Sequence, residues 1–226
     1  MRTKIIKKSS EEGINYLKQK NAGLNLIDKI YYINLDHRTD RLESIRKEIK
    51  MIDPGLEKSE RISAIRRKIG IIGCGESHVK TLKKAYDEGH ETVLIFEDDF
   101  KFKMEINKIK EVLTNFVKSH PDYNIFCLGR NLMKGLKLPS GFIEILECQT
   151  TSCYMVKRKF IPELIKVFQE SVDELNSGST TKKSALDIKW KILQKPGGKF
   201  YTSIEPLGIQ MKSYSDIENK IVFYNC

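Results

Sequence analysis

Residues Thr92 to Phe102 read TVLIFEDDFKF. Five strand-favouring residues, Thr92 to Phe96, run straight into three carboxylates, Glu97, Asp98 and Asp99, and apolar residues return at Phe100 and Phe102. An unbroken apolar run of this kind predicts a strand buried on both faces, as in the parallel strands of α/β proteins. Three acids at its exit repel one another and lose hydration, and a divalent cation with oxygen ligands would offset both costs. With a side-chain period of two, Glu97 and Asp99 share one side of the chain and Asp98 points away. Ligands of open α/β sheets bind beyond the carboxyl ends of the strands, where this triplet falls. The competing reading is that the acids are ordinary turn residues or helix N-caps.

Working outward, Lys29 to Leu35 (KIYYINL) predicts the first strand. The polar turn Asp36 to Arg41 follows, then a helix with Leu42, Ile45, Ile49 and Ile52 on one stripe, stopped by Pro54-Gly55. A short strand is expected over Glu60 to Ile65. Gly70 to Gly75 reads as a flexible loop leading into a helix that carries Val79, Leu82 and Tyr86. Beyond the acids, Ile106 to Val117 is an amphipathic helix and Asn124 to Leu128 a strand. Residues 131–141 read as a loop, Phe142 to Leu146 and Ser152 to Val156 as strands, and Phe160 to Leu175 as a helix. Asn176 to Lys183 is a polar loop, Ser184 the cap of a helix bearing Asp187 and Trp190, and Lys199 to Ile204 a last strand before an irregular tail. Alternating strands and helices make this an α/β chain with a Rossmann-like mixed sheet flanked by helices. A lysine-rich extension is expected over residues 1–27, with a capping box at Ser9 and Glu12 before the amphipathic stretch Ile14 to Lys18, and a single domain over 28–226.

The 226 residues suffice for one substantial core. The apolar runs fall far short of a membrane span, and the opening MRTKIIKKSSEEG has no apolar core of a secretory signal. Five cysteines without a C-x-x-C pair suit buried free thiols in a reducing, cytoplasmic compartment better than a disulfide framework. The formal charge of +10 favours polyanionic ligands by steering. Only nine of the 40 basic residues are arginine, clusters are limited to short runs such as Arg66-Arg67-Lys68, and no nucleic-acid motif is present, so specific nucleic-acid readout is not expected.

Three segments together resemble glycosyltransferase family 25, which includes lipopolysaccharide-modifying and collagen galactosyltransferases. Asn34-Leu35-Asp36-His37-Arg38-Thr39-Asp40-Arg41 is similar to the family's N-L-D-x-R-x-D-R, and Gly73-Cys74-Gly75-Glu76-Ser77-His78 to its G-C-x-x-S-H. Ile95 to Asp99 is similar to its strand followed by E-D-D. Weaker echoes at Leu128-Gly129, Ser152-Cys153-Tyr154, Asp187, Gln210 and Ser213 to Asp216 extend the likeness over about residues 29–217. The resemblance implies a GT-A-like fold and an inverting, manganese-dependent transfer (magnesium being the alternative ion) of a hexose, most often galactose. The donor would be a UDP-sugar and the acceptor a hydroxyl on a glycan or a hydroxylysine-type side chain.

It further implies that Glu97 and Asp99 hold the ion against the diphosphate, with Gln210 or Ser213 near it, because the late histidine of many GT-A enzymes is missing: the last histidine is His120. Asp98 would lie near the ribose or sugar, and the turn with Asn34, Asp36, Arg38 and Arg41 would bind the nucleoside and phosphates. A structural Asp–Arg pair closing that turn is the rival role for the arginines. Ser77 and His78, read as lying close to a helix N-terminus, would face the anionic donor, or else serve as N-cap and hydrogen-bonded helix residue. Cys74 and His78 stand four apart like a nucleophile pair, but the sequence offers no third orienting group. Asp187 is the candidate base; its rival role is the third position of a capping box begun by Ser184. Gly75-Glu76 replaces a bulkier apolar pair of the family, which bears on sugar choice. A catalytically degenerate nucleotide-sugar or glycan binder is the alternative function, and a basic metal-dependent nucleic-acid-binding domain a third. Homodimerisation and peripheral membrane association are left open.

Overall fold

The computed structural model describes residues 22–211, 213–215 and 220–222. The capping box at Ser9 and Glu12, the stretch Ile14 to Lys18 and Asp216 lie outside the described residues. Eight strands form one mixed sheet: β1 (Lys29–Asn34), β2 (Ser59–Ser63), β3 (Thr92–Glu97), β5 (Ile125–Cys127), β6 (Asn131–Lys137), β7 (Phe142–Gln149), β8 (Cys153–Lys157) and β9 (Phe200–Ser203). Their order across the sheet is β2-β1-β3-β8-β5-β9-β7-β6. β1 is parallel to β2 and β3, and β5 to β9, whereas β8 runs antiparallel between β3 and β5. Two further short strands, β4 (Phe100–Phe102) and β10 (Gly208–Gln210), pair antiparallel outside this sheet.

Alternation along the central strands builds the two cores. Tyr31, Ile33, Val93, Ile95, Tyr154 and Val156 face one layer, where they meet α2 (Gly70–Asp87) and α4 (Ile161–Asn176) through Leu82, Leu164 and Phe168. Their neighbours Ile30, Tyr32, Leu94, Phe96 and Met155 face the other, against α1 (Thr39–Ile52) and α3 (Ile106–Ser119) through Ile45, Ile49, Ile109 and Phe116. Both faces of β1 and β3 are therefore covered by helices, which is why their sequences read as continuous apolar runs. Each such buried isoleucine or phenylalanine contributes roughly 1.5–3 kcal/mol by leaving water.

Five expectations are corrected. The tail, expected as irregular, carries β10 and a two-stranded ladder of Ser213–Ser215 with Lys220–Val222. Residues 131–137, expected as loop, form the edge strand β6; it is exposed along nearly its whole length, so no alternation marks it in the sequence. Gly70 to Gly75 is not a loop but the first turns of α2. Its glycines serve close packing: a Cβ on Gly73 would lie 2.2 Å from the Ile65 carbonyl oxygen, and one on Gly75 2.8 Å from Val172 Cγ2. The polar stretch before Asp187 contains a helical turn, Thr181–Ser184. Finally, Ser184 does not cap the next helix, Leu186–Lys189, whose N-cap is Ala185. The Ser184 hydroxyl instead donates to Glu174 on α4, and Asp187 falls at the second helical position rather than the third.

Candidate active site

The carboxyl ends of β1 and β3 open onto a cleft of about 550 Å³. Its walls include Asn34, Arg41, Ser77, His78, Asp99 and Gln210, together with Glu97 and Asp98. This is the position that the parallel arrangement of β1, β2 and β3 favours for a ligand.

Strand alternation ends at Glu97, because Asp98 and Asp99 form the turn into β4. The expected sharing of one side by Glu97 and Asp99 gives way to a different division. Glu97 Oε1 accepts from Thr151 Oγ1 at 2.7 Å and lies 3.2 Å from His78 Nε2. Asp98 and Asp99 share Arg41, whose Nη1 stands 2.8 Å from Asp98 Oδ1 and 3.3 Å from Asp99 Oδ2. Arg41 thus takes the structural ion-pair role, on the two acids rather than within its own turn. Asn34, fully buried at the end of β1, donates to Asp98 Oδ2 at 2.8 Å and to the Arg38 carbonyl at 3.1 Å. Its own oxygen accepts from Arg61 Nε. Asp36 accepts from Arg61 and Ser63, and Arg38 forms a two-pronged pair with Asp40, closing the turn.

Gln210 reaches the acids through the β4–β10 ladder. Phe100 pairs with Gln210 across it, and the Met211 amide donates to the Asp99 carbonyl. Gln210 Nε2 then donates to Asp99 Oδ2 at 3.1 Å, and its Oε1 accepts from Thr150 Oγ1 at 3.3 Å. The Thr150 amide donates to Asp187 Oδ2 at 3.2 Å. Thr150 holds a left-handed φ of 73°, which for a β-branched residue stores about 1–3 kcal/mol. Asp187 is therefore linked to the site through Thr150 rather than set in the cleft wall.

Electrostatics follow from these partners. Burial, then Glu97, push the Asp99 carboxyl up to about 7 against the pull of Arg41. Burial raises Asp98 as well, opposed by Arg41 and Asn34, and raises Asp187, opposed by the Thr150 amide. Burial acts upward on Glu97 too, but His78 and Thr151 outweigh it and hold that carboxyl below its ordinary range. Of the two, Asp99 therefore keeps its proton to higher pH than Glu97. Asp99 Oδ1 is buried without a hydrogen-bond partner among the described residues. An orphaned carboxylate oxygen beside other oxygen donors fits a hard divalent cation.

The G-C-x-x-S-H segment lies differently from its reading in sequence. α2 begins at Gly70, two turns before Ser77, so Ser77 and His78 are not at a helix N-terminus. Ser77 Oγ donates to the Gly73 carbonyl and accepts from the Ile65 amide, fastening the chain after β2 onto α2. His78 has Glu97 on Nε2 and Tyr154 Oη 3.0 Å from Nδ1, so the third group for Cys74 and His78 does exist. A nucleophile still does not result, because burial, then Glu97 and its neighbouring acids, push the Cys74 thiol well up.

Sequence reasoning missed Arg61, Thr150 and Thr151, and it names Tyr154 only within the weaker echo Ser152-Cys153-Tyr154, without a role. Thr151 sits two residues before β8, which is antiparallel to β3, and that pairing is the signal that would have found it. The basic run Arg66-Arg67-Lys68 forms the rim of the same cleft.

Residues 56–181, more than half of the chain, match the profile of glycosyltransferase family 25, described as an LPS biosynthesis protein family. The chain belongs to glycosyltransferase family 25. It is a glycosyltransferase. Among solved structures it is similar to a glycosyltransferase involved in the glycosylation of the major capsid of PBCV-1. The identity is 10%, the TM-score 0.50, and the match covers 84% of this chain and 95% of that one. That likeness shows the GT-A-like fold. A mannose-1-phosphate geranyltransferase from Thermus thermophilus matches at 7% identity and a TM-score of 0.46, over 81% of this chain and 74% of that one. No curated protein matches the sequence.

Proposed function

We propose that this family 25 member moves a hexose, galactose in the first instance, from a UDP-sugar to a hydroxyl of a glycan or a hydroxylysine-type side chain, inverting the anomeric centre. The observation that carries the reading is the convergence of Glu97, Asp98 and Asp99 on one cleft, with a buried Asp99 oxygen that has no hydrogen-bond partner among the described residues. The cleft volume of about 550 Å³ lies in the range of small-molecule sites.

In this reading Glu97, Asp99 and Gln210 hold a manganese ion, magnesium being the alternative, which when bound neutralises the departing diphosphate. The chain's own groups do the rest. Asn34 and Arg41 lock Asp98 in place for contact with the ribose or sugar. The turn held by Asp36 and Arg38 reaches the cleft through Asn34, His37 and Arg41 and would serve the nucleoside end, while Ser77 and His78 line the same cleft. Asp187, its carboxyl raised by burial and joined to the site through the Thr150 amide, would act as the base for the acceptor hydroxyl. Its link through Thr150 and Gln210 to Asp99 ties the position of the base to that of the donor.

The test is release of UDP from UDP-galactose, with other UDP-hexoses alongside, in the presence of Mn²⁺. Turnover that depends on the ion and falls at least a hundredfold in Asp99→Asn and Asp187→Asn is the expected result. Binding of UDP-sugars without any turnover would favour a degenerate binder instead.

A further inference from the structure

Cys74, His78 and Glu97 place a sulfur, a ring nitrogen and a carboxylate oxygen within 4.8 Å of one another. Cys74 and His78 are one helical turn apart on α2, so both project toward the end of β3. All three border the cleft, so a fourth position lies open on its solvent side. Zinc bonds of about 2.0–2.3 Å to nitrogen, oxygen and sulfur require tetrahedral ligand edges of about 3.3–3.8 Å. The His78 Nε2 to Glu97 Oε1 separation is already 3.2 Å.

The surroundings suit a metal-bound imidazole. Tyr154 Oη holds His78 Nδ1 at 3.0 Å, which fixes the ring and leaves Nε2 as the ligand atom. Phe168 packs edge-on against the same ring and Tyr154 stacks along it, so the imidazole cannot turn away. The donor set differs in kind from the oxygen set at Asp99 and Gln210: a thiol and an imidazole select a borderline-soft ion, not manganese or magnesium.

We propose that Cys74, His78 and Glu97 form a second cation site, specific for zinc and similar thiophilic ions, with one open position facing the cleft. On binding, the Cys74 thiol loses its proton to solvent, and the ion replaces the His78–Glu97 hydrogen bond as the imidazole proton leaves Nε2 for Nδ1, where Tyr154 Oη accepts it. Because Glu97 belongs to both sets, zinc draws it from the donor site and opposes turnover. That last consequence rests on the function proposed above; the site itself does not.

The test uses the full chain, reduced and exchanged into thiol-free buffer without nucleotide, and titrated with Co²⁺. One equivalent should give a thiolate-to-cobalt charge-transfer band with the intense visible bands of tetrahedral cobalt, both displaced by equimolar Zn²⁺. The charge-transfer band should vanish in Cys74→Ser, with Cys74→Ala as the second variant and melting curves to show that each is folded. Tyr154→Phe should weaken binding about 10–100-fold. Asp99→Asn should leave the band intact, which separates this site from the proposed manganese position. No charge-transfer band in the native chain, or a band that survives in a folded Cys74 variant, would overturn the proposal. A cobalt spectrum without UDP-sugar turnover leaves this site standing and removes the donor reading; turnover without the spectrum does the reverse.

Discussion

Asp99→Asn should make the metal-free protein more stable at pH 8, not less. The Asp99 carboxyl titrates near 7 in the folded chain against an ordinary 3.8, because burial and Glu97 disfavour its charge. A raised acid binds its proton more tightly folded than unfolded. Stability from this group is therefore fully present below about pH 4 and is lost as the pH climbs through 7. At about 1.4 kcal/mol for each pH unit, the interval amounts to about 4 kcal/mol. Asparagine removes the charge and keeps the shape, at the cost of the Arg41 contact. At 2–4 °C per kcal/mol for a chain of this size, the variant should melt about 5–15 °C above the native protein at pH 8. At pH 4 the two should melt close together. The assay is a thermal melt of both proteins across pH 4 to 8 with chelator present. Equal melting temperatures at pH 8, or a variant less stable there than at pH 4 by the native margin, would refute the placement in this cleft of a buried carboxylate whose charge the fold disfavours.

Three other outcomes are expected. Gly208→Ala would set a Cβ 2.1 Å from the Phe100 ring and 2.6 Å from the Lys101 carbonyl, so melts should show a loss of about 1–3 kcal/mol, and UDP binding should weaken as Gln210 moves off Asp99. Asn34→Ala removes a hydrogen bond to a buried carboxylate worth about 1.5–3 kcal/mol, and urea unfolding should report a loss of that size. Thr151→Val takes away the hydroxyl that holds Glu97 down, so the acidic limb of the pH–rate profile for UDP-galactose turnover should move upward, with little change at its alkaline limb.

The central sheet and the acid triplet were legible because physics writes them locally. β1 and β3 are covered on both faces, which leaves an unbroken apolar run, and the acids stand directly at the exit of one of them. β6 carries no such mark, since an edge strand exposed on both sides has no face to alternate. The glycines of α2 misled for a different reason. Glycine usually signals a loop, yet Gly73 is there because the Ile65 carbonyl leaves no room for a side chain. The partition among the acids was equally hidden: the turn at Asp98-Asp99 ends the strand period that would have paired Glu97 with Asp99. Gln210 was nameable only by family likeness, because a three-residue ladder against β4 carries no periodic signal. Thr150 and Thr151 owe their roles to β8 lying antiparallel beside β3, a long-range pairing that no window of sequence contains.

Calorimetric titration of UDP into the native chain and into Asp99→Asn, each with and without Mn²⁺, tests the proposed donor site most directly. The site described above predicts tight binding only for the native chain with the ion, and a loss of at least a hundredfold when either the ion or the Asp99 carboxylate is removed. Equal affinity in all four titrations would contradict it.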